Sequence, residues 1–558
     1  MISLVKLSKY ILSITALTAV GACTKLDEKL GSTLTAEQTA SALGAAGTGL
    51  LLQAAYADIG GPFTAQDLVF SLQENTTDES LVPTRGGDWD DNGVWRVMHN
   101  HSWNADHGQM LSVFNALNKI NFDATNVLNF TPTKAQAAEA RFIRAYALFT
   151  LLDLYGQYPF RNPGADLLQA PEVKSGAAGV QFIIDELKAI LPDLPTTNGS
   201  DKANPDAAKI LLMKCLLNRG AFINRATPTF APADLAEVIS IGNTIITGGK
   251  YTYNSNYFDN FTPDNGTSSK EAIFRYANSG GVGTNNSGLQ ARWNMTLHYN
   301  SYTPNNPNAG WNGFSTISDF YNSFGATTAT SASNRVGGFF TGVGSKTNAD
   351  TAIDTRLGGR VVSNYKSTIT SGIRPGFLIG QQFNEAGVAE KDRKGNPLAF
   401  DPLVASNMIE TGSNLELTGI RVIKYTPDYS YYGGPADNDL IIFRYPDAVL
   451  MVAEAKMRGG DNAGGLALVN ELRTARGAAT FATLPLVNPA NVDDPNTFLA
   501  ERGREFYWEG LRRTDLIRFG VYNKPWGLKP TDDPKYLVFP IPSTALASNP
   551  NLKQNPGY

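Results

Sequence analysis

Residues 443–460 read FRYPDAVLMVAEAKMRGG and contain both the start and the stop signals of a helix. Pro446 and Asp447 favour a helix start here, because proline suits the first helical position and an acid suits the first turn. The glycine pair at the end of the stretch stops the helix. A second helical segment follows at 462–476 and also ends at a glycine. The two segments together predict a helical hairpin.

The amino-terminal half contains more segments with helical periodicity. In residues 136–154 the apolar positions recur at spacings of three and four, which places them on one helix face: Ala138, Phe142, Ala145, Phe149 and Leu152. Further helices are predicted at 110–128, 180–191, 205–222, 235–247 and 497–513. Consecutive helices with short connections favour stacked helical hairpins. No clean 34-residue period is present, so any tetratricopeptide character is degenerate.

The chain divides into three regions of different composition, which we interpret as parts of one domain spanning residues 35–558. Region 35–255 is helical, and region 440–558 is helical with an extended, proline-punctuated tail. Region 255–440 is rich in Asn, Gly, Thr and Ser, which favour turns and loops. Binding residues are often found on loops that a rigid frame holds in place. We therefore expect the middle region to supply a ligand-binding insert.

The first residues have the order of a secretory signal. Lys6 and Lys9 precede a short apolar run, and small residues stand directly before Cys23. The run is too short to span a bilayer as a helix. Residues 20–23 resemble a bacterial lipobox, which implies cleavage before Cys23 and its acylation by chains such as palmitate. We expect residues 1–22 to be a lipoprotein signal peptide and residues 23–34 to be a lipidated tether.

Composition limits the possible partners and the redox chemistry. The chain has 558 residues, of which 42% are hydrophobic, enough to bury a large core. Its net charge is −4, and cleavage of the signal removes two lysines and no acids, giving −6. Nucleic acid is therefore not an expected partner, because phosphate binding needs a basic surface. Cys215 lies in an apolar helical stretch, where burial raises the pKa of a thiol and makes it unreactive.

Four ordered motifs point to a known family. They are AEARFIRAY at 138–146, the stretch 443–455, LAERGREFYWEGLRRTDL at 499–516, and the tail YLVFPIP at 536–542 with NPNLKQNPGY at 549–558. Together with the lipobox, these motifs resemble the SusD/RagB lipoproteins of Bacteroidetes. The resemblance implies a mainly α fold, in which tetratricopeptide-like hairpins form a superhelical frame with a loop-rich ligand-binding face.

The resemblance also implies a function. Family members lie on the outer surface of the outer membrane, held by their lipid anchor, and serve a SusC-like TonB-dependent transporter. They bind oligosaccharides or polysaccharide and deliver them to the transporter, without catalysis and without a cofactor. RagB-like members bind peptides instead, and this alternative stays open for the present chain.

Two segments have the mix of aromatic and polar side chains that binds sugars, because flat rings cover apolar sugar faces and polar groups meet the hydroxyls. The first is a glycine-rich loop at 83–95 that carries Arg85, Asp88, Trp89, Asp91, Asn92 and Trp95. It is similar to a loop that borders the glycan site in many SusD-like proteins. The second is the segment 292–314, which carries Trp293, Tyr299, Tyr302 and Trp311. We predict that these residues form the ligand-binding site.

The acids at 88–92 and the histidines at 99–107 do not favour a metal site. Asp88, Asp90 and Asn92 match the first half of a calcium-binding loop, but His99 stands where the closing glutamate should be. His99, His101 and His107 have no cysteine and no convincing fourth ligand nearby. We expect these histidines to make hydrogen bonds and expect no metal.

The glutamates of the segment 497–513 do not favour catalysis. Glu501, Glu505 and Glu509 recur at helical spacing, as paired acids of a glycosidase could. Arginines three or four residues further on favour ion pairs instead. Trp508, in the same segment, is expected to be structural, and Trp103 is expected to pack at a helix start. A surface glycoside hydrolase and a scaffold that binds only protein remain the other functional hypotheses.

Overall fold

The computed structural model describes residues 36–279, 288–300, 310–324, 354–358, 375–382, 389–428 and 436–558. The signal peptide, the tether with Cys23, and Tyr302 lie outside the described residues.

Helices dominate the described chain. In chain order they are α1 (Ala36–Thr64), α2 (Val69–Glu74), α3 (Val94–His99), α4 (Gly108–Val127), α5 (Lys134–Tyr155), α6 (Gly176–Ile190), α7 (Pro205–Ile223), α8 (Pro232–Ile246), α9 (Asn265–Ser268), α10 (Ala291–Asn294), α11 (Ser318–Asn322), α12 (Asn414–Leu417), α13 (Tyr445–Arg458), α14 (Asn462–Ala475), α15 (Phe498–Phe506), α16 (Arg512–Arg518) and α17 (Ser543–Ser548). Single 3₁₀ turns lie at Asp91–Gly93, Tyr257–Phe261, Thr355–Leu357 and Pro534–Leu537.

The strands are short. They are β1 (Thr84–Arg85), β2 (Gln157–Phe160), β3 (Glu172–Ser175), β4 (Ala272–Tyr276), β5 (Gly376–Leu378), β6 (Gly380–Gln381), β7 (Ala399–Phe400), β8 (Ile409–Glu410), β9 (Arg421–Ile423) and β10 (Leu440–Arg444). They form two-stranded ladders: β1 runs parallel to β8, while the pairs β2–β3, β4–β10, β5–β9 and β6–β7 are antiparallel. The β4–β10 ladder joins the two ends of the loop-rich middle region.

Local signals in the sequence set the ends of the long helices. Before α5, the Thr133 hydroxyl accepts a hydrogen bond from the backbone N–H of Gln136, and the Gln136 side chain accepts one from the N–H of Thr133. This reciprocal pair satisfies two free N–H groups of the first turn. Gly156 then ends the helix in the left-handed conformation, with φ 71°. The helices from α4 to α8 and the α13–α14 hairpin accordingly begin and end within a few residues of the predicted bounds, whereas no prediction gives bounds for α1.

The long helices pack as stacked hairpins. Helix α4 packs against α1 and α5, α6 against α5 and α7, and α8 against α7 and α13; α13 also packs against α14. Each helix thus buries its apolar face against a neighbour in a single connected core. The predicted mainly α fold, with its tetratricopeptide-like hairpins, is confirmed.

The prediction of one helix at 497–513 is wrong. The segment forms two helices, α15 and α16, because the chain reverses between them at Trp508 (φ 58°) and Gly510 (φ 79°). Distant acids hold this turn. The indole N–H of Trp508 donates to the carbonyl oxygen of Glu79 over 2.9 Å, and the N–H of Gly510 donates to a carboxyl oxygen of Glu74 over 2.5 Å. Trp508 is buried, as predicted.

Glu501 and Glu505 of α15 lie at the centre of a buried ion-pair network. Glu505 pairs with Arg476 at 2.7 Å, with Arg356 at 3.0 Å, and with Arg444. Glu501 pairs with Arg356 at 2.8 Å. Both carboxylates are fully buried, so they meet arginines rather than a ligand. The predicted structural role of these acids is confirmed.

The end of the chain folds back onto the first helices. The indole N–H of Trp103 donates to the hydroxyl of Tyr558, the last residue, over 2.8 Å. The side chain of Asn555 donates to the carbonyl oxygens of Tyr155 and Phe539 over 2.9 and 2.6 Å. The C-terminal tail therefore closes the end of α5.

No helix among the described residues is both long and apolar enough to cross a membrane. Cys215 is fully buried in α7, and burial raises the pKa of its thiol.

Candidate functional site

The first predicted loop follows β1 and has an unusual backbone. The N–H of Arg85 donates to the carbonyl oxygen of Asp88 over 2.8 Å and closes a tight turn. Beyond it, Trp89, Asp91 and Asn92 all adopt positive φ, at 59°, 40° and 55°. Each such residue other than glycine costs on the order of 1–3 kcal/mol and persists only where its surroundings hold it. Strain concentrated in this way is typical of functional loops.

Trp89 is held from several sides but remains partly open to solvent. Its ring makes edge-to-face contacts with Trp95 and Phe314, at centroid distances of 5.6 and 5.4 Å. Its indole N–H donates to the carbonyl oxygen of Trp311 over 2.8 Å. The ring lies directly over Gly313, where a Cβ atom would collide with it. The first loop and the 310–314 segment therefore position this ring jointly.

Trp311 is the exposed tryptophan of the site, with 37% of its surface open to solvent. Its own N–H donates to the carbonyl oxygen of Asn294 over 2.6 Å, and the N–H of Asn312 donates to that of Leu297 over 2.8 Å. Helix α10 and the turn after it therefore carry this segment. A rigid backbone with an exposed indole is suited to stacking on a ligand.

Tyr299 completes the aromatic surface. Its hydroxyl donates to the carboxylate of Asp88, and the guanidinium of Arg393 lies over its ring at 4.0 Å. Burial, followed by the hydrogen bond to Asp88, raises the pKa of Tyr299 to about 12, so the phenol stays protonated. Arg393 also donates to Glu416 over 2.9 Å. We call Trp89, Tyr299 and Trp311 the aromatic platform.

Sequence reasoning missed Arg393. Its side chain is 52% exposed and supplies a cation at the rim of the platform. The signal that could have found it is weak. It stands in a polar turn, residues 391–396, where Asp392 accepts hydrogen bonds from the N–H groups of Lys394 and Asn396. Nothing in that turn indicates that Tyr299 is its neighbour.

Three of the predicted ligand-binding residues are buried, and we revise their role. Arg85 donates to the carbonyl oxygen of Thr418 over 2.9 Å and to its hydroxyl over 3.0 Å, and burial lowers the pKa of Arg85 to about 10. Trp95 donates its indole N–H to Asp91 over 2.6 Å, and Trp293 is packed in the core. Their surfaces are occupied by protein, so they support the platform from beneath rather than touch a ligand.

Asp88, Asp91 and Asn92 are exposed beside the platform. The aspartates of this loop are not arranged around a cation, because Asp88 accepts from Tyr299 and Asp91 accepts from Trp95, while Asp90 pairs with Arg96 at 3.0 Å. In the described part of the chain, no cluster of three or more His, Cys, Asp or Glu side chains could hold a metal ion.

The three histidines make hydrogen bonds, as predicted. His99 lies 3.0 Å from the carbonyl oxygen of Gly527, and His107 lies 3.2 Å from that of Val94. His101 contacts the carboxylate of Asp532. Burial lowers the pKa of all three rings, so they are neutral at pH 7.

A small cavity lies beneath the platform. It measures about 90 Å³ and is lined in part by Phe70, Arg292 and Trp508. Phe70 also packs against Phe314, 6.1 Å away, below the Trp89 ring. Ligand pockets usually measure about 300–1,000 Å³, so this cavity is too small for a sugar chain.

Comparisons with known proteins agree on one family. The model of the SusD family matches residues 270–537. The starch-binding protein SusD of Bacteroides thetaiotaomicron is 25% identical over 517 residues, covering 88% of this chain and 85% of the relative. The SusD-like protein P38 of Formosa agariphila is 32% identical over 132 residues, covering 22% of this chain and 25% of the relative.

Solved structures show the same fold. A SusD-like protein from Bacteroides fragilis superposes with a TM-score of 0.64 at 19% identity, covering 92% of this chain and 96% of the other. Surface glycan-binding protein A from Bacteroides thetaiotaomicron, solved in complex with laminarihexaose, superposes with a TM-score of 0.59 at 16% identity, covering 91% and 99%.

Proposed function

Because this chain belongs to the SusD family, we propose that it is a surface lipoprotein that binds oligosaccharides or polysaccharide and delivers them to a SusC-like TonB-dependent transporter. The observation that carries the proposal is the aromatic platform: exposed Trp311 accepts a hydrogen bond from Trp89 at its backbone carbonyl oxygen, and Tyr299 is held by Asp88 of the same loop as Trp89.

The chemistry of the platform suits carbohydrate. Indole and phenol rings cover the apolar faces of sugar rings at small entropic cost. Asp88, Asn92 and Arg393 stand at the rim and can exchange hydrogen bonds with hydroxyl groups. The platform holds its ligand without breaking a bond, since the acids that could resemble a glycosidase pair are buried among arginines.

The relatives favour a glycan over a peptide. One relative is a starch-binding protein, and one structural neighbour was solved with laminarihexaose. Peptide binding of the RagB kind is therefore the alternative against which the proposal is tested. We include Tyr302, which adjoins the platform in sequence, among the residues that contact the glycan.

Anchoring follows from the lipobox at residues 20–23. Acylation of Cys23 by more than one chain would hold the protein stably on a membrane, since a single acyl chain binds only reversibly. We place the protein on the outer membrane, facing the cell exterior, where captured glycan can pass to the transporter.

Affinity electrophoresis in gels containing starch, laminarin or xylan tests the platform. We expect at least one polysaccharide to retard the protein, and Trp311→Ala and Trp89→Ala to relieve the retardation. Leu50→Ala, which removes an exposed apolar side chain of α1, is the matched control. Unchanged retardation of both tryptophan variants would show that the platform is not the binding site.

Capture from native membranes tests the partner and the alternative ligand. The protein purified without crosslinker should carry a TonB-dependent transporter, identified by mass spectrometry. Co-purified peptides without glycan would favour the RagB-like alternative. Recovery of the protein without any such transporter would refute the delivery step.

A further inference from the structure

A second concave surface lies between α4, the loop after β2 and the start of α17. It is an open cleft of about 1360 Å³. We call it the asparagine cleft, because helix α4 and the turn that follows it line the cleft with the stripe Asn115, Asn118, Phe122, Asn126 and Asn129. The opposite wall is formed by residues 159–171 and by Thr544, Ala545 and Ser548 of α17. No residue of the aromatic platform lines it.

Asn115, Asn118, Phe122 and Asn126 occupy one face of α4, since they are spaced by three, four and four residues, and Asn129 follows in the turn after the helix. From Asn115 to Asn126 it extends about 16 Å along the helix axis, at 1.5 Å per residue. Asparagine is a poorer helix former than alanine, so helix stability does not explain several asparagines on one open face. Phe122, in the middle of the stripe, is 48% exposed.

The amides of the stripe have hydrogen-bonding capacity to spare. Asn118 donates to the carbonyl oxygen of Phe114 over 2.8 Å, while Asn129 accepts from the N–H of Gly164 over 2.7 Å and donates to the side-chain oxygen of Asn126 over 3.3 Å. Each amide carries two donor hydrogens and two acceptor lone pairs, so these contacts use only part of what the side chains offer. Groups that both donate and accept are suited to hydroxyl groups.

The cleft has almost no charge to offer a ligand. Arg161 is the one charged side chain among its lining residues. Its guanidinium already donates to the carbonyl oxygens of Asp166 and Leu167, over 2.8 and 3.4 Å, and so shapes the loop. A phosphate, a nucleotide or a highly charged peptide would find no dedicated ionic partner. A neutral, hydroxyl-rich ligand with an apolar ring face matches the lining.

The walls of the cleft are tied to the rest of the fold. Asn121 donates to the carbonyl oxygen of Pro159 over 3.0 Å, which joins α4 to the opposite wall. Asn551 donates to the carbonyl oxygen of Pro171 over 2.9 Å, which joins that wall to the C-terminal tail. A preformed cleft loses little conformational entropy on binding.

We propose that the asparagine cleft is a second carbohydrate-binding site, which takes a neutral oligosaccharide with a sugar ring on Phe122 and hydroxyls on the amides of α4. The site goes beyond the proposed function because it is separate from the platform. Two sites on one molecule hold a polysaccharide more tightly than either alone, by raising the effective concentration of the second contact.

Hydrogen-exchange mass spectrometry on the intact chain tests the cleft. The probes are maltohexaose, laminarihexaose, cellohexaose and xylohexaose. We expect one of them to protect peptides covering 114–130 and 159–171. Phe122→Ala combined with Asn126→Ala should weaken that protection, with the apparent Kd rising roughly tenfold as an aromatic contact and a hydrogen bond are lost. Leu50→Ala, in α1, should leave it unchanged.

The outcomes separate the two sites. Protection of 86–93 and 293–300 without the cleft peptides overturns the second site and leaves the platform standing. Protection of the cleft peptides alone supports the second site while the platform fails. Cleft protection that survives the double variant, or no protection by any probe, overturns the proposal.

Discussion

The indole N–H of Trp89 donates a 2.8 Å hydrogen bond to the backbone carbonyl oxygen of Trp311. The bond joins two segments that are far apart in the sequence, and it fixes the ring of Trp89 relative to the backbone of Trp311. The rings therefore act as a unit, and a change that moves one should disturb the other.

Gly313→Ala should weaken glycan binding although the alanine itself would touch no ligand. A Cβ atom at this position collides with the indole of Trp89, so the ring has to leave its place over the backbone. We expect roughly a tenfold loss of affinity, which corresponds to about 1.4 kcal/mol, and a shift of tryptophan fluorescence. Gly87→Ala, in the facing loop, meets no atom within 4 Å and is the control. Equal affinities of the two variants would contradict the assigned role of Trp89.

Arg476→Met should strongly destabilise the fold. Its guanidinium donates to Glu271 over 2.9 Å and pairs with Glu505 at 2.7 Å, all inside the protein. Removing one partner of a buried ion pair leaves uncompensated charge and typically costs about 3–5 kcal/mol. Urea denaturation followed by circular dichroism measures this loss.

The control for Arg476→Met is Lys188→Met. Lys188 forms a partly exposed ion pair with Glu237 at 2.7 Å, and such pairs contribute about 0–1 kcal/mol. A similar loss of stability in both variants would show that the buried ion pairs of Arg476 contribute no more to stability than the partly exposed pair of Lys188.

Glu74→Gln should change how stability depends on pH. Burial raises the pKa of Glu74 to about 8, opposed by the hydrogen bond from Gly510. The folded state therefore binds the proton more tightly than the unfolded chain does. The contribution of protonated Glu74 to the free energy of unfolding is full below the usual glutamate pKa of about 4.3. It is lost as the pH rises to about 8. Glutamine resembles the protonated acid and removes the part of the pH dependence that comes from Glu74, while Glu79, whose pKa burial also raises, keeps its own.

Denaturation curves at several pH values test this sign. Relative to Glu74→Gln, the wild type should lose stability as the pH rises from about 5 to about 8. Leu50→Ala, which changes an exposed and uncharged side chain, should run parallel to the wild type. A constant difference between wild type and Glu74→Gln would show that Glu74 is ionised in the folded protein.

Cys23→Ser should release the protein from the membrane. The serine hydroxyl cannot replace the thiol that the lipobox resemblance marks for acylation. Metabolic labelling with palmitate, followed by membrane fractionation, should show label and sedimentation for the wild type only. Labelling of the serine variant would place the anchor elsewhere.

The helices from α4 to α8 and the α13–α14 hairpin could be predicted because their signals are local. The capping pair at Thr133 and Gln136 and the glycine after Tyr155 mark the ends of α5, and apolar spacing marks its buried face. The break between α15 and α16 could not be predicted, because the acids that hold it, Glu74 and Glu79, come from a distant part of the chain. Helical periodicity gives no information on such contacts.

The site could be predicted only in part, because the local sequence does not show which distant residues contact it. Aromatic residues in a glycine-rich loop indicate a surface for sugars, and Trp89 and Trp311 do meet. Arg85 lies in the same loop, but it is buried and donates to Thr418. Arg393 lies over the ring of Tyr299 and comes from a turn that contains no aromatic residue. Composition therefore located the loops, while tertiary contacts decide which side chains they expose.

The hydrogen bond from Trp103 to the hydroxyl of Tyr558 has a consequence for biogenesis. Trp103 and the helices beside it are held by a residue 455 positions further along the chain, so they cannot finish packing before that distant segment has been synthesised. A reporter fused directly after Tyr558 would crowd this contact, whereas one inserted in the exposed loop around Leu168 would leave it intact.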